Sequence, residues 1–436
     1  MRSSADVVIC GAGIAGAAAA YHLAARRKIG RVVVIDEREA LTLTSDKGTQ
    51  GYRNWWPGPD DTMLRMVSRS IDLLEESAHE SGNAFRLNRR GYLFATSDAA
   101  QLAQLEATAR EVAAFGMGPV RRHPDAIPYA PHAAEGFADQ PIGADVLIGD
   151  QALRAFPYLA ADTVGALHVR RAGTMNGIAL GLWLLKQAMA SRAHLVRDRV
   201  VAVDSTGGRV RAVHLASGDV IETERFVVAA GPALHEVGRM LGLELPVLHE
   251  VHAKTRVRDP HRAVPRDAPF IIWSDALTID GRALPGGVHV RPVDHVYGDE
   301  LYLIWTYDTE VQPYVWPPVF NARYAETVVS GCARMIPALA PHIAEMLSTA
   351  VTDGGYYCKT PENRPLVGPL PVAGAYVIGA LSGMGLMSAH ACGELASLHV
   401  AEQPLPDYAQ WFLPSRYESA AYRARVEQWG SKVGQL

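Results

Sequence analysis

Three glycines, Gly11, Gly13 and Gly16, follow directly on the apolar run Asp6-Val7-Val8-Ile9-Cys10 and open into an alanine-rich stretch. A second apolar run, Arg31-Val32-Val33-Val34-Ile35, ends at Asp36, twenty residues beyond Gly16. Each residue type has a chemical use at this spacing. Gly11 permits a tight turn, Gly13 lets the backbone approach a pyrophosphate, and Gly16 lets a helix pack closely on a strand. A helix that begins at Ile14 and Ala15 offers free N–H groups and a partial positive charge to phosphates. Asp36, with Glu37 beside it, sits where a carboxylate accepts hydrogen bonds from a ribose diol. Together they predict a site for the adenosine half of a dinucleotide.

A second glycine cluster stands far along the chain. Tyr376-Val377-Ile378-Gly379 reads as a buried strand, followed by Ser382-Gly383-Met384-Gly385-Leu386-Met387 and a helix over residues 388–401. Between the clusters, apolar spacing predicts helices over 61–81, 99–115, 177–191 and 321–335. Strand signals fall at 91–95, across 200–228, and in a series from 245 to 307. Residues 116–149 are rich in Pro and Gly and read as a lid or surface excursion. A strand at 226–230 reaches Ala230 and Gly231, a further glycine turn.

At 436 residues the chain exceeds one comfortable core, so two packed domains are expected. A net charge of −4 gives no reason to expect nucleic acid or an anionic membrane as partner. Cys10, Cys332, Cys358 and Cys392 are scattered without paired spacing, which fits a reducing compartment and suggests neither a zinc site nor disulfides. No apolar run approaches the ~20 residues that span a bilayer. The expected location is the cytoplasm.

Three stretches resemble one family. Residues 200–232 are similar to the third nucleotide-domain segment of glutathione-reductase-type FAD proteins. Thr360-Pro361-Glu362-Asn363-Arg364-Pro365-Leu366-Val367-Gly368 resembles the TPD-x-x-P-x-x-G signature of the D-amino-acid oxidase superfamily. Gly379-Ala380-Leu381-Ser382-Gly383-Met384-Gly385 resembles its GFSGHGF turn. Residues 153–159 and Val288-His289-Val290-Arg291-Pro292 also fit. This superfamily includes sarcosine oxidase, glycine oxidase and dimethylglycine dehydrogenase.

The resemblance implies an α/β fold: a glutathione-reductase-type, Rossmann-like FAD-binding domain with an inserted mixed β-sheet substrate domain. The expected division is 1–90, 150–240 and 350–436 for the FAD-binding domain, and 91–149 and 241–349 for the substrate domain. The implied cofactor is FAD. Ser45, Thr49, Gln50 and Gly51 would lie along its pyrophosphate and ring, Val201, Ala230 and Gly231 on the nucleotide side. Gly383, Met384, Gly385, Leu386 and Met387 would present N–H groups to the ring's pyrimidine edge. The implied activity is oxidation of a C–N bond in a secondary or tertiary amine or an amino-acid-like substrate. Hydride passes to flavin N5 and the imine is hydrolysed.

That chemistry needs orientation more than a nucleophile. Arg53 suits bidentate capture of a substrate carboxylate. Residues 246–255 resemble the HxAY segment of dimethylglycine and sarcosine dehydrogenases, with His252 at the histidine and Lys254 in place of the tyrosine. These three are the expected catalytic set, and no metal is expected. Trp55, Trp273, Trp305 and Tyr356 are expected to wall the substrate, with core packing the alternative use of each. Two departures are evident. Met387 stands where sarcosine oxidases carry a carboxylate-binding lysine, and Gly355 where they carry the cysteine that bonds the flavin. The FAD is therefore expected to be non-covalent. The expected partners are a small amine and O2 or an electron-transfer acceptor, in a monomer or small homo-oligomer. Two other readings share the N-terminal motif: an aromatic flavin monooxygenase, and a non-catalytic FAD-containing assembly protein of the same fold.

Overall fold

The computed structural model describes residues 2–123, 128–131, 136–293 and 298–429. Val7–Cys10 and Val32–Asp36 are strands rich in β-branched residues, which fit a sheet buried on both faces. They lie in a six-stranded sheet ordered Ala193–Arg197, Val32–Asp36, Val7–Cys10, Phe226–Val228, Ala375–Gly379, Leu366–Pro369. Its strands pair in parallel except the last. Alternation along each strand assigns the two faces. Val7, Ile9, Val34 and Val227 pack against the helices Ile14–Ala20, Gly177–Ala190 and Gly385–Val400. Val8, Val33, Phe226 and Val228 pack against a small four-stranded sheet that includes Val200–Asp204 and Ala212–Leu215.

A nine-stranded mixed sheet forms the second body, with Val351–Lys359 at one edge beside Leu248–Arg258. Its outer face covers a core with Trp273, Trp305, Val288 and Val290, closed by the helix Tyr324–Met335. Two strands within the ranges expected for the FAD-binding domain, Gly165–Val169 and Val351–Lys359, pair into this sheet. The stretch read as a lid or excursion is strand in part. Val120–His123 and Ala144–Ile148 extend the sheet, tied by Asp145 to Arg121, His123 and Arg170. Residues 124–127 and 132–135 of that stretch lie outside the described residues. No helix of the described residues is long and apolar enough to cross a membrane.

Candidate active site

Where parallel strands end, their backbone and the following turns open onto one cleft. Gly11 follows Val7–Cys10, Asp36 ends Val32–Asp36, Ala229 follows Phe226–Val228 and Ala380 follows Ala375–Gly379; all four line a single cavity. It encloses about 1460 Å³ of space free of atoms, part of it open to solvent. Strands of the nine-stranded sheet supply the far wall.

The glycine turn is built on close approaches. Gly11 has φ +112°, and a Cβ there would lie 2.4 Å from the Ala229 carbonyl oxygen. A Cβ at Gly16 would lie 1.9 Å from the Gly11 oxygen, so this glycine serves helix packing and does not line the cavity. At Gly13 a Cβ would meet only Ser45 Oγ, at 3.3 Å. The Ile14 N–H donates to Ser45 Oγ at 3.0 Å. The Asp36 carboxylate accepts from the Ala12 N–H at 2.7 Å and the Arg38 N–H at 2.9 Å, which fixes it beside the turn.

The second glycine cluster arrives from the other side. Ser382–Met384 forms a single tight turn that leads into the helix Gly385–Val400. A Cβ on Gly385 would be 3.8 Å from Ile14 Cγ2, so two helix N-termini converge on one cavity. Their partial positive charges add there. Ala380 and Ser382 are held at φ +53° and +51°, a backbone state that costs non-glycine residues about 1–3 kcal/mol each and recurs at ligand clamps.

Loop residues Leu43, Thr44, Ser45, Gly48, Thr49, Gln50 and Gly51 close the cavity's side. The loop is fastened from beneath. Lys254 Nζ donates to the Asp46 carbonyl at 2.9 Å, Arg291 Nε donates to the Thr49 carbonyl, and Lys47 bridges Asp46 and Asp353. Thr44 Oγ1 is buried with no partner among the described residues and belongs to the cavity wall.

The end remote from Gly11 is aromatic and holds one buried guanidinium. Arg53 lies over the Tyr92 ring at 5.6 Å and lines the cavity. Burial lowers its pKa, and Tyr92 and Tyr357 partly offset the loss. Tyr92 stacks on Phe270 with centroids 4.2 Å apart, and His289 tilts against Phe270 at 5.0 Å. Ile304, Thr306 and Tyr357 complete this end, whereas Tyr356 lines the cavity beside His249, which is bonded to the Pro232 carbonyl on the nucleotide side.

Most residues expected around a cofactor meet here: Gly11, Gly13, Ile14, Ala15, Asp36, Ser45, Thr49, Gln50, Gly51, Ala230, Gly231, Gly383, Met384, Gly385, Leu386 and Met387 all line the cavity, as do Arg53 and Tyr356. Glu37 and Val201 do not line it; Val201 is exposed on the small sheet. Lys254 is buried among Asp46, Asp353 and the Tyr302 ring. Burial lowers its pKa, against the pull of Asp353. His252 is buried behind Tyr357, with Nε2 3.0 Å from Glu250 Oε2. Burial lowers its pKa too, against the Glu250 carboxylate.

Three tryptophans expected at the substrate are core residues. Trp273 and Trp305 fill the outer core, the Trp305 Nε1–H donating to the Pro285 carbonyl, and Trp55 packs on Phe94. Strand alternation explains it: Phe270 and Ile304 face the cavity, which turns Trp273 and Trp305 away. Tyr92, Phe270, His289, Thr306 and Tyr357 also line the cavity, outside the set expected from the sequence. The alternation Val288-His289-Val290-Arg291 was the available signal, since it puts both polar residues on the face opposite two buried valines.

Residues 6–397 match the sequence model of the DAO family, described as FAD dependent oxidoreductase. The mitochondrial sarcosine dehydrogenases of Mus musculus and Homo sapiens are 25% and 24% identical, each aligned over 97% of this chain. The chain spans 44% of the length of those relatives. Among solved structures, L-proline dehydrogenase from P. horikoshii superposes with a TM-score of 0.76 at 20% identity, covering 96% of this chain and 99% of that one. Iminodiacetate oxidase from Chelativorans sp. gives 0.73 at 21%, covering 94% and 98%. At these identities the likeness establishes the fold. The cavity fits the cofactor named in the family's description. Its glycine turn leaves room for a pyrophosphate at Gly13, two helix N-termini face it, and the buried Thr44 hydroxyl offers it a hydrogen bond.

Proposed function

Because the chain belongs to the DAO family of FAD-dependent oxidoreductases, we propose that it oxidises the C–N bond of a small amine or amino-acid-like substrate at the aromatic end of the cavity. The observation that carries this reading is Arg53, a guanidinium only 8% exposed on the cavity wall between Tyr92 and Tyr357. A buried cation facing an otherwise aromatic pocket suits a substrate carboxylate, which it grips bidentately. Met387, in place of a second cation, leaves Arg53 to do this.

The chain's own residues bind, orient and exclude water. Gly11, Gly13, Ile14 and Asp36 would hold the nucleotide half of FAD. Residues 383–387, with Thr49 to Gly51, would hold the ring, without a covalent bond. When bound, the flavin accepts the two electrons and the hydrogen lost from carbon next to nitrogen, and water then hydrolyses the imine. Tyr92, Phe270 and Tyr357 wall the substrate off from solvent, and Arg53 sets the direction in which its carboxylate points.

Anaerobic mixing of the FAD-loaded protein with a panel of N-alkyl amino acids and simple amines tests the reading. Bleaching near 450 nm (roughly, the oxidised-flavin band) by a carboxylate-bearing amine is the expected result. Reduction by NAD(P)H alone, or by nothing offered, would overturn it.

A further inference from the structure

His289 lines the substrate end of the cavity from the strand Val288–Pro292, against Phe270 and within reach of the Arg53 charge. Its Nδ1 lies 2.8 Å from the Gly287 carbonyl oxygen. A carbonyl can only accept, so Nδ1 carries the proton and Nε2 bears a lone pair. That Nδ1 bond is the ring's one hydrogen bond among the described residues, which leaves Nε2 to a ligand in the cavity that the imidazole lines. The neighbouring cavity walls, Phe270, Tyr92 and Ile304, offer it no carboxylate. Burial, reinforced by Arg53, lowers the imidazole's pKa to about 4, so the ring is neutral at physiological pH.

We propose that His289 Nε2 accepts a hydrogen bond from the substrate's amino nitrogen, and thereby selects a primary or secondary amine carrying a carboxylate. This rests on the amino-acid reading of the Arg53 pocket and sharpens it. Arg53 and His289 offer opposite halves of one recognition pattern: a fixed cation for the carboxylate and a fixed acceptor for N–H. A neutral tertiary amine has no N–H to give. Its binding would leave the Nε2 lone pair dry and unsatisfied, which weakens affinity roughly tenfold to a hundredfold. The role is one of positioning, and the imidazole keeps its protonation state throughout.

Two ring-matched, unreactive probes separate the contributions: pyrrole-2-carboxylate, which has a carboxylate and an N–H, and furan-2-carboxylate, which lacks the N–H. Titration of the FAD-loaded protein, followed by the flavin absorbance, should show the pyrrole binding at least about tenfold more tightly. His289→Phe should erase that preference while leaving the furan's Kd within about twofold, and His289→Gln, which keeps an acceptor, should restore part of it. Equal weakening of both probes in His289→Phe, or an unchanged preference, overturns the proposal. In the same preparation, sarcosine should reduce the flavin faster than N,N-dimethylglycine, and the reverse order also overturns it. The two failures are distinguishable. Flavin reduction by amino acids with no His289 effect rejects this inference alone, whereas wild-type protein that binds neither carboxylate rejects the Arg53 reading as well.

Discussion

The Tyr357 ring stacks on the His252 imidazole, centroids 3.7 Å apart and planes 13° from parallel, so the tyrosine forms the cavity wall and the histidine backs it. Behind His252 stand Glu250, at 3.0 Å from its Nε2, and Lys359, 3.1 Å from Glu250. Burial alone would raise the Glu250 carboxyl, but the bonds from His252 and Lys359 outweigh it and hold it below its ordinary range. The edge of the cavity is thus anchored by a charged chain that stands behind its wall.

A histidine acting through a tyrosine predicts a particular mutational pattern. His252→Phe preserves a flat ring under Tyr357 and should keep substrate-driven flavin reduction within about threefold of wild type. His252→Ala removes the ring, frees Tyr357 to tilt, and should raise KM about tenfold while lowering Tm by a few degrees. If the imidazole itself handled a substrate proton, both variants would lose turnover alike, and the pH–rate profile would lose a limb.

Gly13 and Gly16 lie in one turn but should respond oppositely to a methyl group. A Cβ at Gly13 meets only Ser45 Oγ at 3.3 Å, whereas one at Gly16 would overlap the Gly11 carbonyl at 1.9 Å. Gly13→Ala should therefore fold with an apoprotein Tm within about 2 °C of wild type, yet lose FAD affinity by tenfold or more as the backbone is held off the pyrophosphate. Gly16→Ala should lose the fold itself. Equal FAD affinity in Gly13→Ala and wild type would remove the phosphate role assigned to that position.

Much of this site is legible in the sequence because its pieces are local. A glycine turn between two strands, or a glycine pair before a helix, declares itself by spacing alone. What stayed hidden depends on tertiary depth. His252 and Lys254 lie on the cavity side of their strand, yet Tyr357 covers the one and the loop at Asp46 the other. No periodicity reports which side chain lies on top. Trp273 and Trp305 were legible in principle, since strand parity relative to Phe270 and Ile304 sends them outward. Tyr357 was not, because Tyr356, Tyr357 and Cys358 all reach the cavity at the sheet edge, where strict alternation fails.

Buried histidines should make the fold lose stability as soon as pH falls below their ordinary range. Burial lowers His22, His168, His289 and His390 below the ordinary 6.5, His168 and His390 to about 3 and His289 to about 4. On acidification the unfolded chain takes up protons first, near 6.5, while the folded chain still refuses them. Their contribution is therefore complete above that value and lost as pH falls toward the folded values, at up to about 1.4 kcal/mol per histidine per pH unit. The urea midpoint should hold steady above about pH 7 and fall continuously from about 6.5 to 5. A midpoint unchanged over that lower range would show that these rings reach water in the folded state.

Glu362, in the stretch that carries the family's TP signature, is 2% exposed and accepts two bonds from Arg416, at 2.9 and 2.8 Å. Tyr417 and Tyr422 donate to the same carboxylate at 2.6 and 2.9 Å. Burial would raise the Glu362 carboxyl, and the Arg416 charge and these bonds bring it below its ordinary range. The pair thus ties a turn next to the cavity-lining Asn363 to the segment Pro414–Glu418 near the end of the chain. Removing one partner strands the other as a buried charge, so Glu362→Ala should cost about 3–5 kcal/mol in urea unfolding. Glu362→Leu combined with Arg416→Met removes both charges and should cost clearly less than the sum of the single changes. Additive losses would mean that the two side chains are hydrated independently, and the C-terminal segment would then not be clamped by this pair.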